Sequence, residues 1–156
     1  MVLDVLAVVL GYLLGTLPIA LVVGRRIGRD PTREGSGNPG ASNMYRTGGA
    51  KAGATVFAGD LLKGAAATGI GFVAGDRVLA LACGAAAVLG HIAPFTRRFR
   101  GGKGVATACG LVVVLLPSLA LVLAAVLAAI AKLTGKASVA SIVIAVGIPV
   151  GALVLG

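Results

Sequence analysis

Six apolar runs separated by polar connections, the first of them long, set the pattern of the chain. The first covers about residues 2–23 and ends at Gly24-Arg25-Arg26. A polar segment at 25–54 follows, dense in Gly, Pro, Ser, Asn and Arg. Apolar character returns at 55–74, broken by Asp60 and Lys63, and Gly75-Asp76-Arg77 makes a short turn. A third run at 78–93 leads into Pro94 and a basic stretch that closes at Gly104. A fourth reaches Leu116, Pro117-Ser118 forms a tight connection, and a fifth covers 119–131. After a basic connection at 132–136, the sixth covers 137–155. The runs are continuous and show no period-2 alternation, so they predict helices rather than barrel strands. A spanning helix takes roughly 20 residues plus a turn, so about six spans use the whole chain. The expectation is an all-α, polytopic integral membrane bundle forming one domain over residues 1–156.

Composition excludes the soluble alternative. The chain has 156 residues, 58% apolar and 12% charged, with a mean hydropathy of +1.03, whereas soluble domains carry about 25% charged residues. Intrinsic disorder needs low hydrophobicity and high charge density and is excluded as well. The net charge of +9 would point to nucleic acid in a soluble protein. Here the basic residues cluster between apolar runs, so no nucleic-acid partner is expected and topology and anionic substrates are the better explanation. Placing the segment after the first run in the cytoplasm puts Arg25, Arg26, Arg29, Arg33, Arg46, Lys51, Arg97, Arg98, Arg100, Lys103, Lys132 and Lys136 inside, and only Arg77 outside. That bias predicts an N-terminus outside and all the polar, glycine-rich sequence on the cytoplasmic face. Cys83 and Cys109 lie in apolar runs without metal-ligand spacing and read as small core residues. The start Met1-Val2-Leu3-Asp4 lacks the basic residues of a cleavable signal, so the first helix is expected to be retained.

Two strings carry the candidate chemistry. One is Gly35-Ser36-Gly37-Asn38-Pro39-Gly40-Ala41-Ser42-Asn43-Met44-Tyr45-Arg46; the other runs from Gly90-His91 through Pro94 and Arg97-Arg98-Phe99-Arg100 to Gly101-Gly102-Lys103-Gly104-Val105-Ala106-Thr107. Glycines let backbone N–H groups turn toward an anion, and Ser, Asn, Arg and Lys add donors. Gly104 is placed to open a helix whose N-terminal dipole favours a bound phosphate. The Gly-Gly-Lys-Gly stretch is no nucleotide P-loop, because no Ser or Thr follows the lysine and no strand precedes it. His91, the only histidine, sits near a helix end before Pro94, where a packing or hydrogen-bonding role is favoured over general-base catalysis. Asp60 and Lys63 stand i, i+3 on a spanning helix and are expected to pair. Asp30 and Glu34 are placed either to hold Arg25 or Arg33 or to be simply solvated. Too few carboxylates remain for a two-metal site.

Both strings resemble the bacterial acyl-phosphate:glycerol-3-phosphate acyltransferases, the PlsY family. Residues 35–46 follow that family's first motif with Ser42 in place of threonine, and residues 90–107 follow its second. Asp60-Leu61-Leu62-Lys63-Gly64 resembles its second-helix signature, and the segment from Ser138 to Ser141 the entry to its sixth helix. The resemblance implies a seven-helix enzyme of the bacterial plasma membrane that moves a fatty acyl group from acyl phosphate to the 1-hydroxyl of glycerol 3-phosphate. Lysophosphatidic acid and phosphate would be the products, with no cofactor. It places Ser36, Arg46 and Lys103 in catalytic positions. It assigns Gly37, Asn38, Gly40, Asn43, His91, Gly101, Gly102 and Gly104 to substrate binding, and no residue to a metal. Phe95-Thr96 departs from the family by one position in its aromatic. The family's seventh helix and third, basic motif have no counterpart before Gly156, so a C-terminally truncated chain is expected.

The residues suit that chemistry. Acyl phosphate is an activated donor, so the main demand is electrostatic stabilisation of an oxyanion and a leaving phosphate. Arg46 offers bidentate phosphate binding, Lys103 a mobile charge and Ser36 an orienting hydroxyl. With no protein base evident, the substrate phosphate is expected to take the hydroxyl proton. Two other readings stand beside this one: a small membrane anion transporter, and a non-catalytic fragment that keeps the phosphate pocket. A transporter should show internal repeats or polar residues at mid-membrane breaks, and the distinctive residues here sit at helix ends.

Overall fold

Pro18 divides the first apolar run. The computed structural model describes residues 1–134 together with Val143, Gly147 and Ile148, and in it α1 (Val2–Gly15) and α2 (Ile19–Arg26) replace the single helix expected over 2–23. Proline has no N–H to donate and its ring crowds the preceding turn, so the helix stops at Thr16 and restarts at Ile19. Together the two segments are still long and apolar enough to cross a membrane, as are Ala41–Ala74 and Arg77–Arg97.

The second helix boundary also moves. α3 (Ala41–Ala74) begins inside the stretch expected to be a loop to residue 54. Its first two turns are polar and are set off from the apolar remainder by Gly49, whose φ of 84° and ψ of 177° interrupt the helix. That combination of positive φ and extended ψ is essentially confined to glycine. Polar residues hid those two turns from a reading based on apolar periodicity. α4 (Arg77–Ile92) starts where expected, because the Asp76 carboxylate accepts from the N–H groups of Val78 and Leu79, each at 2.9 Å. A 3-10 turn (Phe95–Arg97), α5 (Val105–Leu115) and α6 (Pro117–Thr134) follow. The run expected at 137–155 and the Ser138-to-Ser141 likeness lie outside the described residues, although Ile148 packs on the cluster of Val112, Leu119 and Leu123.

Packing is inverted relative to a soluble bundle. On α1, Ala7, Gly11 and Gly15 are buried while Leu3, Leu6, Leu10 and Leu13 face outward. Small residues let helix backbones approach closely, which is how helices associate in lipid. A Cβ on Gly15 would overlap the Ala87 carbonyl of α4, and one on Gly64 of α3 would overlap the Thr107 carbonyl of α5. An outward apolar surface of this extent fits a membrane and no aqueous monomer. At one end of the bundle, the Arg77 guanidinium donates to the Leu115 carbonyl at 3.2 Å, joining two helix connections. The opposite end gathers the polar loops.

Candidate active site

The first loop is braced from within before it meets anything else. Asn43, 1% exposed in the first turn of α3, accepts from the Ser36 N–H at 2.9 Å and donates to the Pro31 and Glu34 carbonyls, each at 3.0 Å. Glu34 pairs with Arg29 at 3.1 Å, and Asp30 with Arg33 at 3.4 Å. The carboxylates thus hold Arg33, as expected, and Arg29 instead of Arg25. Asp30 also accepts from the Thr32 hydroxyl at 2.6 Å and the Thr32 N–H at 2.9 Å. These bonds, the hydroxyl first, and then the nearby Arg33 charge hold its carboxyl below the usual 3.8.

The second loop folds back on its own helix. The Arg97 and Phe99 N–H groups both donate to the Pro94 carbonyl at 3.0 Å, and Arg98 and Phe99 are left-handed, with φ of 51° and 60°. The chain returns so that Gly101 N–H donates to Ile92 and Gly102 N–H to His91, each at 3.0 Å. Tyr12 of α1 secures this hairpin: its hydroxyl donates to the Ala93 carbonyl at 2.8 Å and accepts from the Phe95 N–H at 3.2 Å. Gly104, at φ 77°, is the N-cap of α5, and Gly40 is the N-cap of α3.

Between the loops lies a cleft of about 760 Å³, within the range of small-ligand sites. Gly37 from the first string and Gly101 from the second line it, with Arg25, Arg29, Arg33, Arg97 and Arg100. Five guanidiniums there face one carboxylate, Asp30, so the cleft wall is strongly basic, a composition that suits anions of the phosphate kind. The sequence marked Arg97 and Arg100 as part of a candidate anion-binding string and the others by the same basic bias; nothing in their spacing marks the five as one wall.

The remaining candidates divide. Ser36, Arg46 and Lys103 are exposed, and none lines the cleft, although Ser36 adjoins Gly37. Asn38 is half-buried, with its amide near Gly40. Asn43, expected to bind substrate, instead has its amide occupied by the loop, so its part is to shape the backbone around Ser36 and Gly37.

Beneath the cleft is a second, enclosed cluster. Lys63 and Asp60 form the expected pair at 2.9 Å, 6% and 2% exposed. The ammonium also donates to the Leu17 carbonyl at 3.1 Å, in the break before Pro18. His91 Nδ1 lies 3.4 Å from the same Asp60 oxygen. The pocket they line, also bounded by Arg97 and Gly102, measures about 10 Å³, room for about one water.

Comparison with known proteins agrees with this geometry. The family model of glycerol-3-phosphate acyltransferases matches residues 5–155. Glycerol-3-phosphate acyltransferase 3 of Bacillus anthracis is 43% identical over 157 residues, covering 100% of this chain and 79% of its own. The Bacillus cytotoxicus glycerol-3-phosphate acyltransferase is 41% identical, covering 97% of this chain and 77% of its own. Among solved structures, the integral membrane glycerol 3-phosphate acyltransferase PlsY in its glycerol 3-phosphate form superposes with a TM-score of 0.90 at 37% identity, over 98% of this chain and 78% of that one. Its lysophosphatidic acid form gives 0.86 at 36% identity, over 98% of this chain and 77% of that one. A matched family model across nearly the whole length, an all-helical apolar bundle and an arginine-walled cleft between two glycine-rich loops lead to one assignment: the chain belongs to the glycerol-3-phosphate acyltransferase family, whose PlsY members are integral membrane proteins.

Proposed function

We propose that the chain transfers a fatty acyl group from acyl phosphate to the 1-hydroxyl of glycerol 3-phosphate at the cytoplasmic face of a bacterial plasma membrane. The observation that carries the reading is the meeting of Gly37 and Gly101, one from each signature string, in a single arginine-lined cleft. Similarity to structures in glycerol 3-phosphate and lysophosphatidic acid forms supports the acceptor and the product. In the reaction the acceptor oxygen bonds to the acyl carbon, the bond from that carbon to the phosphate oxygen breaks, and phosphate leaves with the hydroxyl proton. Guanidiniums and backbone N–H groups stabilise the developing charge without rearranging. Ser36, Arg46 and Lys103 are the groups assigned to orient and neutralise the two phosphates, with Gly37, Asn38, Gly40, Gly101, Gly102 and Gly104 supplying close backbone approach.

The test is acyl transfer to labelled glycerol 3-phosphate by the 156-residue chain in reconstituted membranes, with acyl phosphate and acyl-CoA offered in parallel. Transfer from acyl phosphate alone, lost in Arg46→Ala and reduced in Ser36→Ala, is the expected result. Equal use of acyl-CoA overturns the donor assignment. Absent transfer combined with phosphate uptake into vesicles favours the anion-transport reading.

A further inference from the structure

His91 occupies an unusual position between the two clusters. Its ring is buried, Nδ1 faces the Asp60 carboxylate at 3.4 Å, and a Cβ added to Gly102 would overlap Nε2. The Gly102 N–H donates to the His91 carbonyl at 3.0 Å, so the residue grips Gly102 through both backbone and ring. Behind it, Asp60 is fixed by Lys63, and Lys63 by the Leu17 carbonyl. A single chain of contacts therefore runs from the break between α1 and α2, through α3 and α4, to the glycine segment that walls the cleft. The space beside the ring is small, about 10 Å³, and the ring stands against Asp60 on one side and Gly102 on the other.

We propose that His91 is a positioning residue for the acyl transfer inferred above: set beside Asp60, its ring backs Gly102 and fixes where Gly101 and Lys103 stand relative to the cleft. The proposal rests on that functional reading for its kinetics, and on geometry alone for the order of the segment.

Two amide substitutions separate the positioning role from a merely structural one. A glutamine amide reaches about as far as Nε2, and an asparagine amide only as far as Nδ1. His91→Asn keeps a partner for Asp60 but leaves Gly102 unbacked. It is expected to raise the KM for glycerol 3-phosphate and lower kcat/KM by on the order of 10²-fold. It should also speed deuterium exchange in peptides that contain Gly101 and Gly102. His91→Gln is expected to stay close to wild type in both measurements. The reverse order, or equal effects in the two variants, overturns the proposal. If the 156-residue chain shows no transfer, the functional reading is judged separately, on a form extended by a family-type seventh helix, and exchange alone decides the positioning. If His91→Asn does not fold, a cycle of His91→Ala, Gly102→Ala and the double variant replaces it, read by exchange and kinetics. The double variant is expected to lose no more than the worse single one, and additive losses overturn the proposal.

Discussion

Asn43 makes three hydrogen bonds with one buried amide, and its chemistry dictates how substitutions will behave. Asn43→Ala leaves the Pro31 and Glu34 carbonyls and the Ser36 N–H without their partner. At about 1–3 kcal/mol for such losses, thermal unfolding in detergent should drop by several degrees, with a raised acceptor KM. Asn43→Asp should be worse, because a carboxylate would face two carbonyls it cannot donate to. Asp30 gives a pH-dependent counterpart. Its folded pKa is below 3.8, so its bracing of the loop is complete above the unfolded value of about 3.9 and is lost as pH falls through the lower folded value. Pepsin cleavage within residues 25–40 should therefore rise only below about pH 4, and in Thr32→Val the onset should move to higher pH. The sequence made Asn43 visible as part of a motif. It gave no sign that the side chain turns inward, because that depends on Pro31 and Glu34 returning to meet it.

At the scale of elements, the i, i+3 spacing of Asp60 and Lys63 was enough to forecast their pairing, since neighbours at that spacing share a helix face. The second partner of Lys63, the Leu17 carbonyl, became available only because Pro18 interrupts the helix. Removing the cation strands a buried carboxylate beside His91. Lys63→Met should cost about 3–5 kcal/mol, the usual penalty for breaking a buried pair from one side. The double variant Asp60→Asn, Lys63→Met should recover part of that loss in the same thermal measurement. The helical turns before Gly49 escaped the apolar pattern because their buried side chains, Asn43 and Met44, pack on the loop and on Ala20 and Val56 rather than forming a stripe.

For the whole molecule, the expectation of helices with polar loops gathered at one end holds over the described residues. It was legible because lipid demands continuous apolar runs and closed backbone hydrogen bonding. The cleft itself was not legible. Its wall draws on residues as distant as Arg25 and Arg100, and the docking of α4 on α1 through Gly11, Gly15 and Gly90, with that of α3 on α5 through Gly64 and Gly110, brings their loops together. Five guanidiniums around one anion site should make acceptor binding sensitive to ionic strength. The KM for glycerol 3-phosphate should rise with added salt, and the rise should be shallower in Arg97→Gln, measured with matched acyl phosphate.

The hairpin between Ile92 and Gly101 also acts as a ruler. Its two ends are locked by hydrogen bonds between fixed partners, Gly101 to Ile92 and Gly102 to His91, so the number of residues between them sets which way Lys103 and the start of α5 emerge. Thr96 is exposed, and its side chain is free to change, but its place in the count is not. A substitution at Thr96 leaves that span intact, whereas inserting or deleting one residue there would turn Lys103 and the start of α5 away from the cleft, so at this position length is the constrained quantity.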